Sequence, residues 1–291
     1  MDHSTNDDQT LHDQTNDSER RAYWAEQMEL GYAMVERLIA FPVQECGERF
    51  ASLPSAARNA DVEMMFSDSK IAGDLDRVYS FRSSLVDDVV AIGRSMNQRG
   101  WILKIEDGYR SQEMQSQLVR KPSIFDAILK KCIWECNDQI PPADFVFRRA
   151  IVLVANVPKI GTHMSGSAVD ISVFDKATGH EVWRGNHYLE MSERTPMRSP
   201  FIDRADLENR LAITEMMEAH GFMHFPYEFW HYNKNDAGGH ILTGKSEPAK
   251  FGPVHWNPDT NEVTPYEDPL SPLNPLTVIE REIEAAIERS R

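Results

Sequence analysis

The chain has few cysteines, no long apolar stretch and a deficit of positive charge, and each shortage argues against a class of function. Cys46, Cys132 and Cys136 are the only three cysteines in 291 residues. They cannot all pair, so a disulfide-built scaffold is not expected and a reducing, cytoplasmic setting is. No apolar run approaches the roughly 20 residues needed to span a bilayer. The start, Met1-Asp2-His3, lacks the basic and apolar regions of a secretory signal. Only 31 Lys and Arg stand against 46 Asp and Glu, a formal net charge of −15. Nucleic acid and anionic membranes both call for a basic face, so neither is expected as a partner. Internal repeats, a Gly-rich phosphate loop and a Gly-x-Ser-x-Gly nucleophile motif are also missing. None of these features sets an oligomeric state.

What is present reads as one α+β domain with additions at both ends. Residues 1–22 are acidic and poor in large apolar side chains. They bury too little to offset their ordering entropy, so a disordered acidic leader is expected, with an acidic interaction tail as the functional alternative. Trp24, Met28, Tyr32, Val35 and Leu38 recur at helical spacing, and so do Leu85, Val86, Val89, Ile92 and Met96 ahead of Gly100. Residues 43–80 show no period and read as a long connection with short elements. Trp101, Leu103 and Ile105 alternate with polar residues as a half-buried strand does. Residues 111–137 read as helical with a break at Pro122. Ala150 to Val154 reads as a buried strand, and Phe225 to Tyr232 as another. Leu207 to Met217 predicts a helix stopped by Gly221. Residues 246–275 are Pro-rich and are expected to wrap the surface before a terminal helix over 277–289. Residues 23–245 then form the single main domain, built on a small central antiparallel sheet flanked by helices.

The chemistry is concentrated in two separated segments. The first is Gly161-Thr162-His163-Met164-Ser165-Gly166-Ser167-Ala168-Val169-Asp170; the second is Glu228-Phe229-Trp230-His231. Two imidazoles and a carboxylate can hold one Zn²⁺ and leave a coordination position open, and a second carboxylate beside it can accept a proton from water. His163, Asp170 and His231 are therefore the candidate metal ligands and Glu228 the candidate base. His163 and Asp170 are seven residues apart, an odd spacing that separates them on a continuous strand. They can converge only if His163 lies in a turn before the strand, which Gly161 and Gly166 permit. Glu228 and His231 carry the same difficulty, which a strand entry or a bulge near Pro226 resolves. The commoner use of a lone histidine among aromatics is packing, and a metal reading of these residues has to meet that alternative. His220 and His224 do not form a zincin pair, because Gly221 lies between them and no Glu follows His220. Cys132 and Cys136, without a second Cys pair, read as packed or half-exposed thiols.

These motifs resemble a known family. His163-x-x-Gly166-x-Ala168-x-Asp170 followed by Glu228-x-Trp230-His231 is similar to the zinc signature of the D-alanyl-D-alanine dipeptidases (VanX-type), grouped with the hedgehog-like zinc D,D-peptidases. The likeness covers about residues 75–245 and includes Asp107-Gly108-Tyr109-Arg110 upstream. It implies a hedgehog/D,D-peptidase-like fold, one Zn²⁺ on His163, Asp170 and His231, and Glu228 as general base. It also implies Arg110 as the residue that stabilises the oxyanion, and a small D-amino-acid dipeptide as substrate. Asp107, Tyr109 and Gly161 are the candidate substrate-binding residues. Asp107 is open to three uses: orienting Arg110, meeting a substrate ammonium, or simply making the turn before Gly108. Two positions depart from the pattern: Gly161 stands where the family has Ser, and Ser111 where it has Pro. Alternatives in the same frame are a D,D-carboxypeptidase acting on muropeptides and a non-catalytic zinc-binding or partner-binding module.

Overall fold

The computed structural model describes residues 4–291, with side chains from residue 16 onward. In chain order the elements are α1 (Ser4–Ala40), β1 (Phe50–Ser52), α2 (Leu53–Asn59), β2 (Met64–Phe66), β3 (Ser80–Arg82), α3 (Ser83–Gln98) and β4 (Trp101–Asp107). Then come α4 (Gln112–Arg120), α5 (Pro122–Glu135), α6 (Ala143–Leu153), two 3₁₀ turns (Pro158–Ile160 and Thr162–Ser165) and β5 (Ala168–Asp175). The chain ends with α7 (Arg204–Glu218), β6 (Met223–His224), β7 (His231–Asn233), α8 (Ala237–Leu242), β8 (Val254–Asn257), β9 (Glu262–Pro265) and α9 (Leu276–Arg289).

The central sheet has five strands in the order β2-β4-β5-β7-β6. It is mixed rather than purely antiparallel as expected: β2 runs parallel to β4, and the remaining pairs are antiparallel. A parallel pair needs a long crossover, and the stretch between β2 and β4 supplies one through α3. Strand β2 was hidden in sequence because residues 43–80 carry three short elements and the start of a fourth, none long enough to show a period. Central strand β5 is buried from Ala168 through Val173 on both faces. The mixed α/β character matches the expected class.

Two strand expectations are corrected. Ala150 to Val154 lies almost wholly in α6, whose last residues are buried on every side. A short continuous apolar run does not distinguish a buried strand from a buried helix segment, and the helix begins upstream, right after Pro142. Phe225 to Tyr232 is not one strand either. The chain turns after His224, with the Glu228 amide donating to Phe225 O and the His231 amide to Glu228 O, and β7 starts only at His231. Pro226 and the close local hydrogen bonds stop pairing there.

The leader also differs from the expected disorder. Residues 4–22 are part of α1, while residues 1–3 lie outside the described residues. From Asn16 on, the helix is tied down by side chains. Trp134 Nε1 donates to Asp17 Oδ1 at 2.9 Å, and Arg20 meets Glu193 at 2.5 Å. Further along, Glu29 bridges Arg148 and Arg149 at 2.8 and 2.7 Å, while Trp24 and Met28 are buried. Charged and aromatic partners outside the helix supply the ordering that its own composition lacks.

The C-terminal stretch joins the same body. Ile279, Ile283 and Ala286 of α9 share the main core with α5 and α6. The Pro-rich segment contains a hairpin, β8–β9, that the sequence did not reveal; Val254 in it packs with Phe50 and Tyr109.

Candidate metal centre

The sheet register assembles the site. Asp107 at the end of β4 pairs with Asp170 in β5, and Asp170 pairs with His231 at the start of β7. Residues directly opposite in an antiparallel pair present their side chains on one face, so three strands deliver the three groups to one place. His163 arrives from the 3₁₀ turn Thr162–Ser165, which Gly166 terminates at φ +70°. A Cβ at Gly166 would also meet the Phe50 ring at 2.3 Å, so only glycine suits both the backbone and the packing. The turn needed to reconcile the odd His163–Asp170 spacing is present.

One ligand atom from each of His163, Asp170 and His231 lies within 4.8 Å of the other two, and all three residues are buried. Asp170 Oδ1 is 3.2 Å from His163 Nε2 and 2.9 Å from His231 Nδ1. Donors at zinc distances of about 2.0–2.1 Å in a tetrahedron are separated by roughly 3.3 Å, so the spacing fits such an ion. The outer imidazole nitrogens are held too. His163 Nδ1 is 2.6 Å from Gly108 O, which fixes its proton there and leaves Nε2 with a free lone pair. His231 Nε2 is 3.0 Å from Thr162 Oγ1, which leaves Nδ1 for the ion. Burial holds the His231 pKa below its ordinary value, although Asp170 opposes this, so the ring is kept neutral as a ligand must be. Burial alone would raise the Asp170 carboxyl, but His163 and His231 beside it hold it well below the usual carboxylate range.

The other oxygen, Asp170 Oδ2, accepts from Arg110 Nη2 at 3.2 Å and from the Tyr188 hydroxyl at 3.0 Å. Arg110 is further fixed by Nε on Asp107 Oδ2 at 2.7 Å and by Nη1 on Gln115 Oε1 at 3.3 Å. Burial would lower the Arg110 pKa; Asp107 and Asp170 outweigh it and hold the guanidinium above its ordinary value. Three of five guanidinium N–H groups are thus engaged, and two have no partner among the described residues. Arg77 sits 3.3 Å from the same Asp107 oxygen, so two carboxylates and two guanidiniums balance in the interior.

His163, Asp170, His231, Arg110, Glu228 and Gly161 all line one cavity of about 80 Å³. That is room for several water molecules, each needing at least roughly 10–15 Å³. Burial pushes the Glu228 carboxyl well above the usual range, Asp170 adds to this, and Arg110 opposes it. A carboxyl with such proton affinity beside a ligand set is the pattern of a general base or acid.

Two predicted substrate contacts are elsewhere. Asp107 does not line the cavity; its oxygens are engaged by Arg110, Arg77 and the Gly108 amide. Orienting Arg110 is the use the geometry supports. Tyr109 turns into a separate aromatic cluster with Phe50 and Trp256 and donates its hydroxyl to Val254 O at 2.8 Å. Tyr109 lies two residues past Asp107, beyond the end of β4, where its backbone bridges Val78 instead of continuing the strand, so it is not bound to the face that Asp107 joins. Sequence reasoning missed Thr162, Gln115, Tyr188 and Arg77. Thr162 sits inside the first motif and was legible as a neighbour of His163; the other three lie in unmarked segments and carried no signal.

The chain is also similar to known proteins. A family model described as D-ala-D-ala dipeptidase (peptidase M15) matches residues 134–247. Over that span the chain resembles the family. The chain is 26% identical over 137 residues to a D-alanyl-D-alanine dipeptidase of Enterococcus faecalis (strain ATCC 700802 / V583), covering 47% of this chain and 64% of that protein. It is 29% identical over 138 residues to the D-alanyl-D-alanine dipeptidase of Enterococcus faecium, with the same two coverages of 47% and 64%. The likeness to the Escherichia coli (strain K12) D-alanyl-D-alanine dipeptidase is 26% over 160 residues, or 54% of this chain and 68% of that one. The chain thus spans less than two thirds of the enterococcal relatives. No described helix is long and apolar enough to cross a membrane.

Proposed function

We propose that the protein is a zinc-dependent hydrolase of short D-amino-acid peptides of the D-alanyl-D-alanine type. The observation that carries this reading is the convergence of His163 Nε2 and His231 Nδ1 on Asp170 Oδ1, with Glu228 lining the same cavity. Two nitrogens and one oxygen suit zinc, and three protein ligands leave a position open, as catalytic rather than structural sites do. An ion held there supplies a Lewis acid that polarises a carbonyl and brings the pKa of water to roughly 7. Glu228 takes the proton of the attacking water on its carboxylate and returns it to the leaving amine. Its raised proton affinity suits a group that must hold that proton between the two events. Arg110, locked by Asp107 and Gln115, offers its two remaining N–H groups to the developing oxyanion. Asp107 positions Arg110 and does not touch substrate. A reducing, cytoplasmic setting suits the three free cysteines, of which Cys46 is exposed.

The test is twofold. Freshly purified, metal-supplemented protein is assayed for zinc, then incubated with D,D-, L,D- and L,L-dipeptides. One zinc per chain and a D,D preference support the reading. A zinc content near zero overturns it, and an L,L preference removes the D-peptide assignment.

A further inference from the structure

Helix α7 turns Ile213, Thr214 and Met217 into the core, and the position one turn before them is Arg210, which is wholly buried. A guanidinium on the buried stripe of a helix is out of pattern. Burial and the neighbouring charge of Arg184 pull its pKa down to about 9, although Asp206 opposes this. Among the described residues, its hydrogen bonds all go to backbone carbonyls. Nε donates to Arg184 O at 2.7 Å, Nη1 to Pro196 O at 2.8 Å and Met197 O at 3.3 Å, and Nη2 to Arg194 O at 2.8 Å. A cation placed in the core at a cost is thus spent on holding one stretch of loop.

The other edge of that loop holds the turn that carries Glu228. The Met197 amide donates to Pro226 O at 2.9 Å and the Phe229 amide donates to Thr195 O at 3.3 Å, one bond on either side of Glu228. The carbonyls of Arg194, Pro196 and Met197 therefore face the guanidinium, while Thr195 O and the Met197 amide face the turn. Phe229, also buried, has its ring centroid 4.0 Å from Arg210 Cζ and 4.7 Å from Arg184 Cζ. Arg184 in turn donates to Ile171 O at 2.8 Å, next to Asp170, and to Phe229 O at 3.4 Å, next to Glu228. Arg210 itself does not line the cavity of the ligand set.

We propose, resting on the hydrolase reading above, that Arg210 is a positioning residue: through the 194–197 loop and the Phe229 ring it fixes the turn that keeps the Glu228 carboxyl beside the ligand set. Lysine cannot take its place, because three donors on one flexible nitrogen do not serve four separate carbonyls as a rigid, planar fork does.

The experiment compares the zinc-loaded protein with its Arg210→Lys variant on D-Ala-D-Ala, each with and without Glu228→Gln. Arg210→Lys is expected to keep one zinc per chain and a KM within about twofold, and to lower kcat by about 10–100-fold, the scale of a small misplacement of a reacting group. In the Glu228→Gln background it is expected to lower kcat no further, because both changes act on one group. Amide exchange, read without substrate, is expected to be at least about tenfold faster at Met197 and Phe229. It is expected to be unchanged at Arg82, whose amide donates to Gly166 O at 3.0 Å beside the His163 turn. An unchanged kcat, a loss that recurs in full without Glu228, or undiminished protection at Met197 and Phe229 overturns the proposal. If Arg210→Lys does not fold, Phe229→Leu decides, since it removes the ring that both guanidiniums face and leaves their hydrogen bonds in place. A lower kcat at constant KM then supports the proposal, and an unchanged kcat overturns it. If the unaltered protein cleaves none of the dipeptides, the hydrolytic reading fails, and exchange at Met197 and Phe229 alone decides whether Arg210 holds the turn.

Discussion

Asp170 does the most at the scale of single residues, since one carboxylate faces both imidazoles through Oδ1 and receives Arg110 and Tyr188 through Oδ2. Glu228 is different, because it lines the cavity without belonging to the ligand set. Glu228→Gln is expected to keep zinc at the level of the unaltered protein and to lower kcat by about 10²–10⁴, the usual worth of a general base. Metal analysis and steady-state kinetics on the same sample check this, and unchanged turnover would remove Glu228 from the chemistry. Thr162 holds the outer nitrogen of His231 at 3.0 Å. Thr162→Val is expected to weaken zinc binding by roughly 10–100-fold, as loss of such a partner typically does, and Thr162→Ser to restore it. Competition with a chelator reads both. Most of this residue-scale chemistry was legible in the sequence, because ligand types are few and their spacing is constrained. Thr162 as an orienting group, Tyr188 and Arg77 were not, since a hydrogen bond made across the fold leaves no mark in local pattern.

Elements set which of those residues can meet. The turn that brings His163 to β5 depends on Gly166, at φ +70° and against the Phe50 ring. Gly166→Ala is expected to cost at least about 1–2 kcal/mol from the backbone alone. Chemical denaturation measures this, and a loss below 0.5 kcal/mol, the ordinary scale of a surface change, would show that the turn tolerates a side chain. Helix α1 depends on charge. The Trp134 hydrogen bond holds Asp17 below its ordinary 3.8, and the Arg149 hydrogen bond holds Glu29 below its ordinary 4.5. Carboxylates lowered in the folded state stabilise it above their unfolded values and lose that contribution as pH falls through the lowered ones. The N-terminal part of α1 is therefore expected to loosen below about pH 4, ahead of the sheet, and to hold at neutral pH. Amide exchange across residues 16–30 at pH 3 and pH 6 checks the sign, and equal protection at both would refute it. Long periodic helices such as α3 and α7 were readable from sequence, and their Gly100 and Gly221 stops with them. The short strands β2, β8 and β9 were not, because three or four residues cannot display a period. The Ala150–Val154 run failed for the opposite reason, being apolar on every side in a buried helix.

For the molecule as a whole, the ligand set ties the 3₁₀ turn to two strands, so an ion held there would stabilise the folded chain by mass action. Free zinc at 100 times its dissociation constant adds about 2.7 kcal/mol. Removing metal with a chelator is expected to lower Tm by several degrees in differential scanning calorimetry, and readdition to restore it. A Tm indifferent to zinc would mean that the ion does not bind the native state. The general class, mixed α and β with one main core, followed from composition and periodicity. The parallel pairing of β2 with β4 and the docking of both chain ends onto the same body did not, because they depend on contacts between segments far apart in sequence.

The register Asp107–Asp170–His231 has a consequence for how the chain finds its native pairing. Side chains alternate across a strand, so sliding β7 by one residue against β5 would send the His231 imidazole to the opposite surface and leave the ligand set one member short. Tight capture of zinc would then act as a proofreading step, favouring chains whose strands have zipped in the right alignment over those that have slipped.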